Sequence, residues 1–236
     1  MKKLMKAVAA LMLMTAAVGC TKPDGPNNGG DNNDGTINGH AYVDLGLPSG
    51  TLWATCNVGA DSPEDFGDYF AWGETQSKTI YDWSTYKYCS DGNHYHLLKY
   101  CNNSNFGYNG FTDNLLVLLE SDDAAFFGWG NEWYIPKKEQ WEELFQNTNS
   151  TWTTRNDVVG RLFTASNGNS LFLPAAGYFR NDSVLSSKII GYYWSSLLFV
   201  ENPSCAMDFF FDMVNCGKSS FYRYYGLPIR PVCSAE

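Results

Sequence analysis

Short runs of strand-forming residues, separated by clusters of asparagine, glycine and serine, dominate the chain after Trp152. In chain order the runs are RLFTA, SLFLPAAGYF, GYYWSS, AMDFFFDM and LPIRPVC. Runs of aromatic and β-branched residues bounded by turn formers are typical of short strands. Because the earlier part of the chain indicates only a few helices, the pattern predicts an α+β fold with short helices and a small antiparallel sheet.

Two segments before these runs have the character of short helices. The first, TDNLLVLLESDDAAFF, has apolar residues from Leu115 to Leu119 and then a DDAA helix start. The second, IPKKEQWEELF, places Trp141, Leu144 and Phe145 on one helical face, at spacings of three and four. Both helices are predicted to contribute core contacts.

The N-terminus has the features of a secretion signal. Three lysines precede an apolar run from Ala7 to Val18, which is too short to span a bilayer. The run ends in AVGC, a pattern similar to the lipobox of bacterial lipoproteins. We therefore predict a signal peptide over residues 1–19 and lipid attachment at Cys20, which would anchor the protein to a membrane without a spanning segment.

A polar segment follows the predicted lipidation site. Residues 21–39 read TKPDGPNNGGDNNDGTING and contain almost nothing that a core could bury. We predict that residues 20–39 form the lipidated cysteine and a flexible tether, and that one folded domain occupies residues 40–236. An outer-membrane or cell-surface location is expected.

The stretch DFFFDM, at residues 208–213, carries three consecutive phenylalanines. On a strand, Phe209, Phe211 and Met213 would share one face, and Asp208, Phe210 and Asp212 the other. A face with two carboxylates is expected to contact water. The pattern therefore predicts that Phe210 is exposed between two charges, where a ligand could cover it.

Charge and motifs exclude several classes of function. The chain has 25 acidic and 16 basic residues, a net charge of −9, so a nucleic-acid partner is not expected. Motifs for a nucleophile elbow, a phosphate-binding loop and a zinc protease are lacking, and His94 and His96 have no evident third metal ligand. We predict no catalytic residues, no metal and no cofactor.

Six cysteines remain once Cys20 is set aside, and they allow fifteen pairings in an oxidising compartment. Two pairings have some physical support. Cys89 and Cys101 bracket a polar loop, and Cys56 and Cys233 lie near the two ends of the predicted domain. The sequence does not choose among the pairings.

Several segments together resemble the major paralogous (FISUMP) domain of secreted bacterial proteins. They are HAYVDLGLPSGTLWATCNVGA, FGDYFAWGET, WYIPKKEQWEEL, NGNSLFLPAAGY, GYYWSS and YYGLPIRPVC. The resemblance covers residues 40–236 and implies a C-type lectin-like fold, in which the first and last strands pair. Such pairing would bring Cys56 near Cys233.

Part of that family resembles the variable proteins of diversity-generating retroelements, in which a fixed framework alternates with varied positions. The resemblance implies a framework of Trp194, Asn202, Pro203, Ala206, Phe209, Phe211, Arg223, Gly226 and Arg230. It implies varied, ligand-binding positions at Leu197, Phe199, Asp208, Phe210, Asp212, Asn215, Gly217, Ser220, Phe221, Tyr222 and Tyr224. The expected function is a membrane-anchored binding protein, or adhesin, with an unknown protein or glycan ligand.

Two other functions remain open at this stage. Formylglycine-generating enzymes also resemble C-type lectin folds, and in them C-terminal cysteines bind metal and act in redox chemistry; Cys205 and Cys216 are the corresponding candidates here. A structural subunit of a surface appendage is the second alternative.

Overall fold

A computed structural model of the protein describes residues 35–234. The predicted signal peptide, Cys20 and most of the predicted tether lie outside the described residues. The end of that tether is not a linker, because residues Gly35–Ile37 form a strand that pairs with residues His40–Asp44. The folded unit therefore includes at least five residues more than the sequence predicted.

The described residues form twelve strands and two α-helices. The strands are β1 (Gly35–Ile37), β2 (His40–Asp44), β3 (Thr51–Ala54), β4 (Thr148–Arg155), β5 (Val158–Ala165), β6 (Ser170–Pro174), β7 (Tyr178–Arg180), β8 (Ser183–Leu185), β9 (Gly191–Leu198), β10 (Cys205–Phe211), β11 (Cys216–Tyr222) and β12 (Val232–Ser234). The helices are α1 (Ala124–Trp129) and α2 (Lys138–Asn147), and two single 3-10 turns lie at Tyr108–Gly110 and Glu120–Asp122.

The predicted α+β, C-type lectin-like class is wrong, because the structure is mostly β, with 38% strand and 11% helix. Its strands form four small antiparallel sheets, in the orders β1-β2-β3-β12, β11-β10-β9, β4-β5-β6 and β7-β8. Only α2 is longer than six residues within the described part. The apolar run Leu115–Leu119 is not helical, and its backbone bonds to β9, where Leu118 N donates to Ser196 O.

The prediction of helix α2 is confirmed, and its apolar face packs into one of two hydrophobic cores. Trp141 and Leu144 are buried, and Trp141 stacks on Phe209 with ring centroids 5.6 Å apart. Phe211 and Tyr193 belong to the same core. The second core lies on the opposite face of the β11-β10-β9 sheet and includes Trp194 and Ala206. Side chains from both faces therefore hold this sheet in place.

The C-terminal strand joins the two ends of the described chain. Residues Val232–Ser234 pair antiparallel with β3, the third strand, and not with the first strand as the resemblance implied. Neither of the two candidate disulfides is present, because Cys89, Cys101 and Cys233 have free thiols. The thiols of Cys89 and Cys101 donate to different carbonyls, of Asn93 and Asn103, and Cys233 is packed in a core opposite Leu52.

We predict that Phe211→Ala lowers the free energy of unfolding by roughly 3–5 kcal/mol, because a fully buried ring between Phe163 and Tyr193 is removed. Chemical denaturation measures the change. The matched control is Met213→Ala, in the following turn, where the side chain is 68% exposed and the change should stay within about 0.5 kcal/mol. Equal effects of the two substitutions would show that the sheet is not anchored by this core.

Candidate functional site

The β11-β10-β9 sheet carries most of the predicted binding residues, and its register decides which of them meet. Phe210 in the central strand lies opposite Tyr192 of β9 and Gly217 of β11. Asp208 lies opposite Trp194 and Ser219. Side chains alternate between the two faces of a strand, so Asp208, Phe210 and Phe221 share the face that Tyr192 also occupies.

Five half-buried rings cover the outer part of this face, and we call them the aromatic surface: Tyr178, Tyr192, Phe210, Phe221 and Tyr225. Phe221 is at the centre, with its ring centroid 4.7 Å from that of Tyr192, 5.1 Å from Tyr178 and 5.2 Å from Tyr225. Tyr178 stacks on Tyr225 at 5.3 Å, and Phe210 lies 6.3 Å from Tyr192. The rings thus form one continuous, half-buried group, and four of them also pack against the second core: Tyr178, Tyr192, Phe221 and Tyr225.

Tyr178, Tyr192 and Tyr225 were missed by the sequence analysis, which placed binding residues only at the varied positions. Tyr178 belongs to β7 and Tyr225 follows β11, so no alternation within the hairpin connects them to Phe210. The sequence did contain one signal for Tyr192. It lies two residues before Trp194 on β9, so the two side chains share a face of that strand.

Phe210 is partly covered, in contrast with the predicted full exposure. Its ring extends over the neighbouring strand at Gly217, where an added Cβ would lie 3.1 Å from Cε1 of Phe210. Glycine at this position therefore gives the ring its space. Phe210 is half-buried rather than enclosed, so a ligand could still cover it.

The prediction that Asp208 contacts water is wrong, because its side chain is fully buried. Ser219 Oγ donates to Oδ2 at 2.7 Å, and Oδ1 has no hydrogen-bond partner. Burial raises the pKa of Asp208 to about 7, and the hydrogen bond from Ser219 opposes this shift only partly. A buried carboxyl group with a pKa of about 7 therefore lies on the same face of the sheet as the aromatic surface.

Asp212 and Met213 depart from the predicted strand because β10 ends at Phe211. The Asp212 carboxylate instead holds the β10–β11 turn, accepting at 2.7 Å from the backbone N of both Val214 and Asn215. These bonds lower its pKa. Met213, expected in the core, is 68% exposed.

The remaining predicted residues do not form a single group. Phe221 and Tyr222 are consecutive and point to opposite sides of the strand. Tyr222 contacts Trp83 and Tyr224 at 5.8 and 5.9 Å, and it meets the aromatic surface at Tyr225, 6.2 Å away. Tyr224 is buried and is not available to a ligand without rearrangement. Positions at the far end of β9, in the turn or along β11 lie apart from the rings: Leu197, Phe199, Asn215 and Ser220.

The two candidate redox cysteines lie at opposite ends of the hairpin. Cys205 pairs in register with Tyr222, and Cys216 pairs with Phe211, six residues further along β10. Six residues of strand span about 20 Å. Burial raises the pKa of both thiols, that of Cys205 to about 11. The two sulfurs therefore cannot share a metal or a disulfide in this arrangement.

Other parts of the described structure contain little that resembles a catalytic centre. No group of three or more potential metal ligands occurs among residues 35–234. His96 instead pairs with Asp91, its Nδ1 lying 2.8 Å from Oδ2. A cavity of about 320 Å³ lies away from the aromatic surface, where Glu64 Oε1 is 3.2 Å from Arg155 Nε.

No known protein family, curated protein or solved structure matches this chain. Within the described residues, no helix is long and apolar enough to cross a membrane. The function is therefore inferred from the geometry of the aromatic surface and the sheet beneath it.

We predict that the unfolding free energy of the wild-type protein falls relative to that of Asp208→Asn as the pH rises from about 4 to about 7. The folded pKa of Asp208, about 7, is above the ordinary value of 3.8, so stability is greatest when the carboxyl is protonated. The difference between the two proteins should change by up to about 4 kcal/mol over this window. Denaturant unfolding at each pH measures it, and parallel curves would contradict a buried, titrating Asp208.

Proposed function

We propose that this protein is a ligand-binding protein, tethered to a membrane by lipid at Cys20, that contacts a protein or glycan with its aromatic surface. The observation that carries the proposal is the continuous contact of five half-buried rings on one face of a doubly anchored sheet. The resemblance of the amino-acid sequence to FISUMP domains and to diversified variable proteins supports the same function.

The energetics of the rings favour a binding role. Burying a phenylalanine side chain fully contributes about 2 kcal/mol, part of which Phe210 and Phe221 do not obtain in the free protein. A ligand that covers them would recover it. Tyrosines offer large contact areas with few rotatable bonds and a hydroxyl that can bond polar groups.

Rigidity beneath the rings supports the proposal further. Phe209 and Phe211 alternate with Phe210 along β10 and are buried in the core formed with Trp141. Holding the strand from behind fixes the ring positions before a ligand arrives, which reduces the entropy cost of binding. The separation of Cys205 from Cys216 gives the oxidoreductase alternative no comparable geometric support.

We predict that Phe210→Ser weakens ligand binding at least tenfold, because an aromatic ring that a ligand covers can contribute more than about 1.4 kcal/mol to binding. Arrays of glycans and of extracellular proteins are probed with the wild-type protein. The dissociation constant of each variant is then measured for every ligand that the wild type binds. Met213→Ser is the matched control, since it removes an exposed apolar residue of the same hairpin outside the rings. Equal affinity of all three proteins would reject the aromatic surface as the site.

We predict that Cys20→Ser releases the protein from the membrane fraction into the soluble fraction of the producing cells. Loss of the sulfur removes the point of lipid attachment, and with it the burial of acyl chains that anchors the protein. Fractionation and mass spectrometry of the mature N-terminus provide the measurement, with Cys216→Ser as control. Unchanged membrane association of the Cys20 variant would show that the anchor lies elsewhere.

A further inference from the structure

The carboxyl group beneath the aromatic surface has no compensating charge. Among the described residues no lysine, arginine or histidine forms an ion pair with Asp208, and Oδ1 accepts no hydrogen bond. Only the neutral hydroxyl of Ser219 contacts the other oxygen. A buried charge without a partner is costly, so the carboxylate form of Asp208 lacks a stabilising partner in the free protein.

We propose that the aromatic surface binds a cationic side chain, lysine or arginine, of a protein partner, with the rings of Tyr192, Phe210 and Phe221 in contact with the cation and Asp208 as its counter-charge. This inference rests on the proposed function and specifies the chemistry of the ligand. It selects a protein over a neutral glycan.

The rings themselves are suited to a cation. The faces of phenylalanine and tyrosine carry a negative potential that attracts ammonium and guanidinium groups within about 6 Å of the ring centroid. The protein already makes this contact once at the edge of the same surface, where the guanidinium of Arg180 lies 5.8 Å from the centroid of Tyr225. No lysine or arginine of the described residues lies over Tyr192, Phe210 or Phe221 in the same way.

Asp208 strengthens this attraction without touching the ligand. The carboxyl group is on the same face as Phe210 and two residues away from it along the strand. Burial is the main cause of the raised pKa of Tyr192, and the charge of Asp208 adds to it. The surrounding rings exclude water, so the field of the carboxylate is screened less than it would be at the surface. A cation on the rings is therefore attracted by the ring faces and by the charge behind them.

The same geometry makes binding depend on pH. The carboxylate form of Asp208 attracts the cation and the protonated form does not, so affinity should increase as the pH rises from 6 to 8. The groups around it are Ser219 on β11, Tyr192 on β9, Cys205 on β10, Asp212 in the turn, and Arg223, whose charge also acts on Cys205. The pKa of Cys205 and that of Tyr192 are raised and that of Asp212 is lowered, so none of these three changes charge between pH 6 and 8.

The test uses three immobilised peptides that differ only in one residue type: lysine, arginine or the neutral isostere norleucine, each set in a glycine-serine sequence. Binding of the wild-type protein is measured by interferometry at pH 6 and pH 8. At pH 8 we expect the lysine and arginine peptides to bind at least tenfold more tightly than the norleucine peptide. At pH 6 we expect the same two cationic peptides to bind several-fold more weakly than they do at pH 8.

Asp208→Asn separates the carboxylate from the rings. We expect this variant to bind the cationic peptides about tenfold more weakly at pH 8 and to lose the difference between pH 6 and pH 8. Its denaturation midpoint is measured alongside, so that a loss caused by unfolding is recognised, and Asp212→Asn serves as a second control because that carboxylate is in the turn. A pH dependence retained in Asp208→Asn overturns the role of this residue.

Failure of this inference can be told apart from failure of the proposed function. Equal binding of the norleucine and lysine peptides, combined with an array ligand that still requires Phe210, would reject the cation and keep the binding surface. If Phe210→Ser leaves every interaction unchanged, the surface itself is rejected, and the cation with it.

Discussion

The buried guanidinium of Arg230 connects the two ends of the folded chain, and the position of the binding sheet depends on it. Arg230 donates to Asn57 Oδ1 at 2.8 Å and to the carbonyls of Ala54 and Thr55, residues more than 170 positions earlier. The segment that carries it also bonds to β9, where the backbone N of Trp194 donates to Pro228 O. One C-terminal segment thus bonds both to the N-terminal sheet and to the β11-β10-β9 sheet, while Nη2 of the buried Arg230 has no hydrogen-bond partner.

Patterns within a single element predicted that element well. Helix α2 and the buried rings Phe209 and Phe211 follow from spacings of three, four and two, which depend only on local geometry. The fold class and the environment of Asp208 depend on which distant segments pack together. Alternation on β10 indicates that Asp208 and Phe210 share a face, and it cannot show that Asp208, opposite Trp194 and Ser219, is fully buried. The shared face was predicted, and the burial of Asp208 and the partial covering of Phe210 were not.

Burial separates the framework and the varied positions that the family resemblance implied. The framework residues are buried with the exception of Asn202, which is half-buried: Trp194, Pro203, Ala206, Phe209, Phe211, Arg223, Gly226 and Arg230. Most of the varied positions are half-buried or exposed, and Asp208 and Tyr224 are the buried ones. A binding surface whose supports are buried can change its outer side chains at little cost in stability, because surface substitutions typically change the free energy of unfolding by less than about 0.5 kcal/mol.

Asp208 does not follow that division, since it is a buried carboxyl at a position expected to vary. An apolar residue there would join Ala206 and Trp194 in the core without the cost of burying an ionisable group, so stability alone does not favour aspartate. The proposed binding of a cation would favour it, because a buried carboxylate on the same face as the rings adds attraction for a cation while remaining out of contact with water. Under the proposed function, the same residue lowers the stability of the free sheet and raises its affinity for a positively charged partner, which is the expected relation when part of a scaffold's stability is given up for function.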